Sequence, residues 1–152
     1  ENEHIFKIKQ KKIVEAYQIN NIKIILLDQG EAFYTYNNAI IDFLVDFSIK
    51  KHGLYIKEHP VLKMKSEKLI NSLPQIPSEI PVEFLIKKNT IVIGIASSGM
   101  QNATKVISLL ELVDINLDEK NRYLNFLNPE NVLIPKSIEE LQISLEKFIK
   151  NF

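Results

Sequence analysis

The clearest strand signal in the chain is Thr90-Ile-Val-Ile-Gly-Ile-Ala96, an uncharged run rich in β-branched residues. Such a run is typical of a strand that is buried on both faces of a sheet. Ser97-Ser-Gly99 follows directly, and apolar residues then recur at helical spacing through Val106, Leu109, Leu110 and Leu112. The sequence therefore predicts a buried strand, a serine-containing turn and a helix, in this order.

The first third of the chain shows the same alternation of strand and helix. A short apolar run, 22–27, is closed by Asp28-Gln-Gly30 and predicts a strand followed by a strand-end loop. Apolar residues at helical spacing predict a helix from Asn37 to Lys51, with Gly53 just past its end. Leu54 to Lys57 is a second short strand, so this part of the chain is predicted as strand, helix, strand.

The pattern continues beyond this unit. A short helix is expected from Ser66 to Leu73, and a second over 82–88, where a strand is the open alternative. A last strand is expected over 132–134. Ser137 with Glu140 forms a capping-box pattern ahead of an amphipathic helix that ends near Lys150. At the other end of the chain, 4–8 reads as a strand.

Strands that alternate with helices predict an α/β fold, here a Rossmann-like doubly wound parallel sheet with helices on both faces. The length of 152 residues suits a single domain, residues 1–152. Within it, residues 1–20 are either a strand and a helix or a connection to a preceding domain.

Composition excludes several classes of protein. Nineteen basic and nineteen acidic residues give no net charge, which argues against a nucleic-acid partner. The chain has no cysteine and no apolar run of about 20 residues, so the sequence predicts a cytoplasmic protein. GxGxxG, P-loop, HExxH and GxSxG patterns are absent, and the three histidines have no metal-ligand spacing. No obligatory metal is expected.

Four polar residues fall near the carboxyl ends of predicted strands, where ligands bind in open α/β sheets: His59, Glu83, Ser97 and Ser98. Hydroxyl groups at the start of a helix suit a phosphate, although they also serve as ordinary helix caps. An imidazole can exchange a proton near neutral pH, and a carboxylate can accept hydrogen bonds from a ribose diol. The sequence thus indicates a nucleotide-sugar site, with a purely structural role for each residue as the alternative.

Three short motifs carry a resemblance to a known family. Lys57-Glu-His-Pro60, Pro81-Val-Glu-Phe-Leu85 and Ser97-Ser98 follow one another in the order found in bacterial sialyltransferases. The lipooligosaccharide sialyltransferases and polysialyltransferases share an HP motif followed by a serine motif. The resemblance spans about Lys23 to Lys105. It implies one half of a GT-B glycosyltransferase, the C-terminal domain that binds CMP-sialic acid for transfer to a bacterial surface glycan of the lipooligosaccharide or capsule type.

The resemblance also implies residue roles. His59 would contact the CMP phosphate and act as the general acid, and Ser97 and Ser98 would hold that phosphate. Glu83 would bind the CMP ribose. Three further residues would line the cytosine pocket, namely Lys57, Pro60 and Val82.

The family also needs an acidic base in a separate N-terminal domain, which would complete the glycan-acceptor site. Asp28-Gln29-Gly30 differs from that base motif and is interpreted as a strand-end loop. The resemblance therefore implies a donor-binding domain that lacks the catalytic base and needs no cofactor. It places the protein in the cytoplasm, with peripheral contact at the inner membrane left open.

Two other functions stay open at this level. One is a GT-B transferase for another nucleotide-activated sugar or a polyol phosphate. Lys105 is the only cation near Ser97 in sequence, and this scarcity of positive charge favours a monophosphate donor over a pyrophosphate. The other is a non-catalytic α/β interaction domain, in which the polar residues are caps and surface groups.

Overall fold

A six-stranded parallel sheet organises the part of the chain that the structure describes. This computed structural model describes residues 23–29, 34–51, 53–59, 66–77, 79–127 and 130–150. In chain order, the strands are β1 (Ile24–Leu27), β2 (Tyr34–Thr35), β3 (Leu54–Lys57), β4 (Gln75–Ile76), β5 (Ile91–Gly94), β6 (Lys105–Ser108), β7 (Asp114–Ile115) and β8 (Val132–Leu133). The helices are α1 (Asn38–Lys51), α2 (Glu67–Ser72), α3 (Leu117–Phe126) and α4 (Ile138–Ile149), with 3₁₀ turns at Val82–Phe84 and Ser98–Asn102.

The sheet has the strand order β4-β3-β1-β5-β6-β8, and every pair in it is parallel. Renumbered by position in the chain, these six strands follow the order 3-2-1-4-5-6 of a doubly wound nucleotide-binding fold. The predicted α/β, Rossmann-like fold class is therefore confirmed. The order reverses at β1, which pairs with β3 on one side and with β5 on the other.

The two halves of the sheet are connected in opposite directions from β1. The chain moves outward from β1 to β3 and β4, then returns to β5 and moves outward to β6 and β8. Because parallel crossovers are right-handed almost without exception, the connections of the two halves lie on opposite faces. Helix α4 returns to contact α1. Within the described ranges, no helix is both long enough and apolar enough to cross a membrane.

The central strands supply the core because both of their faces are covered. All four residues of β1 and all four of β5 are buried, as their uncharged β-branched sequences predict. Helix α1 adds four buried side chains, Ile40, Ile41, Leu44 and Phe47. These apolar residues belong to one core cluster that extends to Leu141 and Leu145 of α4.

The prediction of a helix after Ser97 is wrong. A five-residue 3₁₀ turn, Ser98–Asn102, leads directly into β6, which pairs with β5 in the register Ile93↔Ile107. The run from Val106 to Leu112 is mostly apolar, so its pattern fits both a strand buried on two faces and a helix. Its first residues form a strand because they pair with β5. The second expected helix, over 82–88, is reduced to the 3₁₀ turn Val82–Phe84.

Several short elements carried too little sequence signal to be predicted. Strands β2 and β7 form a separate antiparallel pair, with Tyr34 opposite Ile115 and Thr35 opposite Asp114. Strand β4 is an edge strand of only two residues. Helix α3, in which most residues are polar and none is buried, was also not predicted. The predicted strand over 4–8 lies outside the described residues.

The ends of the long helices follow their sequence signals. Asn37 caps α1 by accepting a 3.0 Å hydrogen bond from the Ile40 amide, and its side-chain amide donates to the Leu112 carbonyl at 2.7 Å. Ser137 caps α4 by accepting from the Glu140 amide at 3.1 Å. The Glu140 carboxylate accepts from the Lys136 amide at 2.7 Å, one residue earlier than a standard capping box.

Gly53 follows α1 in the left-handed conformation, with φ of 85°. Apart from its chain neighbours, no described residue has an atom within 4 Å of the position of a Cβ. We expect Gly53→Ala to lower the free energy of unfolding by about 1 kcal/mol through backbone strain alone, because the space is open. Gly53→Asn should lose less, since asparagine tolerates this conformation. Urea denaturation measures both. Equal stability of all three proteins would contradict the assigned helix end.

Candidate functional site

A crevice of about 500 Å³ opens beyond the carboxyl ends of β1, β3 and β5. This is where the strand order reverses, and ligands of doubly wound folds bind at such a point. The loops that follow the three strands supply most of its lining, and the 3₁₀ turn Val82–Phe84 supplies one wall. Its lining residues are Leu27, Asp28, Gln29, Lys57, Glu58, His59, Glu79, Ile80, Pro81, Val82, Glu83, Ser97, Ser98 and Gly99.

Six of the seven site residues expected from the sequence line this one crevice. They come from three separate segments: Lys57 with His59, Val82 with Glu83, and Ser97 with Ser98. Lys57 is buried, His59 and Ser97 are partly buried, and Glu83 and Ser98 are exposed. Pro60 lies outside the described residues. The fold thus brings together side chains that are far apart in sequence.

Lys57 is a buried cation at the end of β3, with only 6% of its surface exposed. Its backbone carbonyl accepts a 3.0 Å hydrogen bond from the Asp28 amide, which prolongs the pairing of β3 with β1. Burial lowers the pKa of Lys57, and the nearby carboxylates of Glu79 and Glu83 partly oppose this shift. A lysine held in this way has a stability cost in the free protein that an anionic ligand can offset.

The described lining of the crevice carries more acidic than basic groups. Among its residues, four have carboxylates, namely Asp28, Glu58, Glu79 and Glu83, and two, Lys57 and His59, can carry positive charge. The crevice is therefore poorly suited to a ligand with several negative charges, and it offers hydrogen-bond acceptors for hydroxyl or amino groups. Among the described residues, no group of three or more acidic or histidine side chains could hold a metal ion.

Ser97 is the residue whose side chain is least explained by the fold. Its hydroxyl oxygen is buried and has no hydrogen-bond partner among the described residues. Ser97 stands at the N-cap position of the 3₁₀ turn and is arranged with Met100 as in a capping box, but its side chain makes no cap hydrogen bond. The Met100 amide donates instead to the Ser97 carbonyl at 3.1 Å. The Ser97 amide donates to the Met100 sulfur at 3.3 Å. Buried hydroxyls are normally paired, so an unpaired one beside a crevice suggests a ligand contact.

Gly99 lets the two 3₁₀ turns approach each other at the wall of the crevice. A Cβ at this position would lie 3.2 Å from Leu27 Cδ1 and 3.3 Å from Val82 Cγ1. These distances are tighter than ordinary van der Waals contact, so a larger residue would push Val82 outward. The glycine therefore keeps the turn that carries Ser98 next to the turn that carries Glu83.

Asp28 is a buried carboxylate at the end of β1, with 4% of its surface exposed. Its Oδ1 accepts hydrogen bonds from the Tyr34 hydroxyl at 3.3 Å and from the Tyr36 hydroxyl at 3.2 Å. Burial raises the pKa of the Tyr34 phenol, and the charge of Asp28 raises it further, so Tyr34 stays protonated. The two tyrosine rings pack edge to face, with their centroids 5.5 Å apart. The interpretation of this segment as a strand-end loop agrees with the position of Asp28 and Gln29; Gly30 lies outside the described residues.

Sequence reasoning missed four polar lining residues: Asp28, Gln29, Glu58 and Glu79. Three of them directly follow β1 or β3, so applying the carboxyl-end rule to every strand would have found them. Glu79 lies in a loop and carries no comparable signal. Lys105, the cation near Ser97 in sequence, is absent from the described lining and donates to the Phe148 carbonyl at 3.3 Å.

A second cavity, of about 300 Å³, shares Ser97 with the crevice. The 3₁₀ turn after Ser97, the start of β6 and the segment around the end of α3 surround it. Its described lining is uncharged and comprises Ser97, Met100, Gln101, Ala103, Val106, Phe126, Leu127, Asn131 and Val132. Ser97 therefore lies between the acidic crevice and this uncharged cavity.

Comparison of the chain with protein-family models, with curated proteins and with solved structures finds no match in any of the three. The resemblance to bacterial sialyltransferases therefore depends on the three motifs and on their meeting at one crevice.

The contrast between Ser97 and Ser108 allows a matched test. Ser108 is also buried, but its hydroxyl donates to the Ile95 carbonyl at 2.6 Å and accepts from the Leu110 amide at 3.3 Å. We expect Ser108→Ala to cost about 1–3 kcal/mol of unfolding free energy, because it leaves Ile95 and Leu110 without this partner. Ser97→Ala should change it by less than about 0.5 kcal/mol, or stabilise the protein. Urea denaturation of both variants checks this, and equal losses would contradict an unpaired Ser97 hydroxyl.

Lys57→Met should stabilise the protein at neutral pH, because methionine keeps the length of the side chain and removes a buried charge. We expect a gain of about 1 kcal/mol, or roughly 3 °C in Tm. Since the folded-state pKa of Lys57 is lowered, the unfolded chain binds more protons at alkaline pH, and wild-type stability rises there. The advantage of the variant should therefore shrink as pH rises toward 10.5. A variant less stable than wild type at pH 7 would contradict this account.

Proposed function

We propose that the crevice binds the CMP part of CMP-sialic acid, and that the chain is the donor-binding domain of a sialyltransferase-like glycosyltransferase. One observation carries the proposal. The three motifs behind the resemblance lie in separate segments, yet their described residues line a single crevice at the reversal point of the sheet. A shared ligand requires a common site of this kind.

The phosphate would lie beside Ser97. The unpaired Ser97 hydroxyl can donate a hydrogen bond to a phosphate oxygen, with the exposed Ser98 hydroxyl next to it. Lys57 supplies the buried positive charge of the crevice. Hydrogen bonds to a charged group contribute about 1.5–3 kcal/mol each, enough to offset the burial of the hydroxyl.

The nucleoside would lie along the 3₁₀ turn Val82–Phe84, which packs next to the turn that carries Ser98. The exposed carboxylate of Glu83 can accept hydrogen bonds from a ribose diol, and Ile80, Pro81 and Val82 offer an apolar wall for the base. Pro60, the remaining residue that the resemblance assigns to the base pocket, follows His59 in sequence.

The excess of acidic groups among the described lining residues favours a donor with little charge on its phosphate part. The phosphodiester of CMP-sialic acid carries one negative charge, and its second negative charge lies on the sialyl carboxylate, whereas the pyrophosphate of a UDP-sugar places two charges on adjacent phosphates. Because the described lining has four carboxylates and two potential cations, the second phosphate charge would be less well accommodated. This balance supports CMP over a nucleoside diphosphate.

In the transfer reaction, an acceptor hydroxyl would attack the anomeric carbon of the sialyl group. The bond from that carbon to the phosphate oxygen would break, and CMP would leave with the bonding electrons. His59, partly buried in the crevice, would donate a hydrogen bond or a proton to this oxygen, while Ser97 and Lys57 stabilise the developing charge. The base that deprotonates the acceptor would come from a separate N-terminal domain.

Thermal shift and calorimetric titration with CMP, UDP and cytidine test the proposal. We expect selective stabilisation by CMP, of about 2.7 kcal/mol at a concentration of 100 times Kd. Ser97→Ala should weaken CMP binding roughly tenfold or more and leave cytidine binding unchanged, because only CMP carries the phosphate. Ser108→Ala is the matched control and should bind CMP like the wild type.

Two other results of these titrations would lead to different conclusions. A preference for UDP would indicate a different sugar nucleotide. No response to any of the three ligands would overturn the proposal and favour the non-catalytic interaction domain.

A further inference from the structure

Gln29 forms an unusual bridge between the two central strands. Its side-chain carbonyl oxygen accepts a 2.8 Å hydrogen bond from the Ala96 amide, and its side-chain nitrogen donates to the Ala96 carbonyl at 3.2 Å. A carboxamide has the same donor and acceptor groups as a peptide unit. The Gln29 side chain therefore pairs with the backbone of Ala96 much as a neighbouring strand would, beyond the last register pair Leu26↔Ile93.

The bridge satisfies backbone groups that would otherwise lack a strand partner. Ala96 is buried, with 6% of its surface exposed, and lies past the end of β5. Unpaired backbone groups at such a place would cost free energy, so the bridge fixes the path of the chain there. Ser97 is the next residue. It lines the same crevice as Gln29, and its buried hydroxyl has no hydrogen-bond partner among the described residues.

Gln29 is itself held in place from the other side. Its backbone amide donates to the Tyr34 hydroxyl at 3.2 Å, and that hydroxyl donates to Asp28 Oδ1 at 3.3 Å. The Asp28 amide is bonded to the Lys57 carbonyl at 3.0 Å. A continuous set of hydrogen bonds thus joins the end of β3, the end of β1 and the residue before Ser97.

We propose that Gln29 is a positioning residue, which fixes the Ser97 hydroxyl where it can meet the phosphate of a nucleotide. The inference extends the proposed function to a residue outside the three motifs, and it depends on that function. Gln29 would act through Ser97 rather than by touching the ligand. Glutamine suits this role because an asparagine is one methylene shorter, and a glutamate would set a negative oxygen against the Ala96 carbonyl.

A double-mutant cycle with Ser97 tests this indirect action. Gln29→Met keeps the length of the side chain and removes both hydrogen bonds. We expect it to weaken CMP binding about tenfold in the wild-type background, measured by calorimetry, because the hydroxyl is no longer held in place. In the Ser97→Ala background the same change should weaken binding less than about twofold, since the group being positioned is gone. Gln142→Met, on the exposed face of α4, is the control and should bind CMP like the wild type.

The outcomes separate this inference from the proposed function. If Gln29→Met weakens CMP binding by the same factor in both backgrounds, Gln29 acts independently of Ser97 and the positioning role is overturned, while the CMP site stands. If the wild type does not bind CMP, the proposed function fails and the inference fails with it.

A second measurement does not depend on whether Gln29→Met folds. Hydrogen exchange of the wild-type protein should show the Ala96 amide protected to a degree comparable with the amides of β5, because the Gln29 carbonyl oxygen covers it. Exchange of the Ala96 amide at the rate of an open loop would overturn the bridge and with it the positioning role.

Discussion

The pairing of β1 with β3 on one side and β5 on the other is the constraint on which the rest of this molecule depends. Because the chain leaves β1 in one direction and later returns to its other side, the loops after the three strands diverge and leave a crevice between them. The polar residues of the described lining lie at that gap as a result of strand order. The hydrophobic burial of β1 and β5 holds this order in place, since exposing either strand would expose four buried residues.

The crevice combines features that are unfavourable for an empty protein. A buried lysine, a buried unpaired hydroxyl and an excess of carboxylates each cost free energy or repel one another. Elsewhere in the described chain, buried polar side chains such as Ser108 and Thr90 have ordinary structural partners. The concentration of a buried charge, an unpaired hydroxyl and several carboxylates in one place distinguishes this crevice from the rest of the described fold.

Sequence reasoning succeeded where a single physical signal dominated. The uncharged β-branched run before Ser97 correctly predicted a strand. The helix ends were predictable because the side chains of Asn37 and Ser137 cap helices and Gly53 adopts the left-handed conformation. It failed where two periodicities fit the same residues, as between Val106 and Leu112, and where pairing partners are remote, as between Tyr34 and Ile115. The three motifs predicted six residues of the crevice lining. They do not include Asp28 or Gln29, whose roles depend on contacts with Tyr34, Tyr36 and Ala96.

The bridge from Gln29 to Ala96 is a contact between one side chain and one stretch of main chain. Substitution is therefore constrained to different degrees at positions 29 and 96. Residue 96 contributes only groups that every amino acid except proline possesses, so any small side chain that fits the buried space can stand there. Residue 29 contributes a carboxamide at a set distance, which no other residue type supplies. Among descendants of this sequence, variation should accumulate at position 96 while position 29 stays fixed, although the two share the same pair of hydrogen bonds.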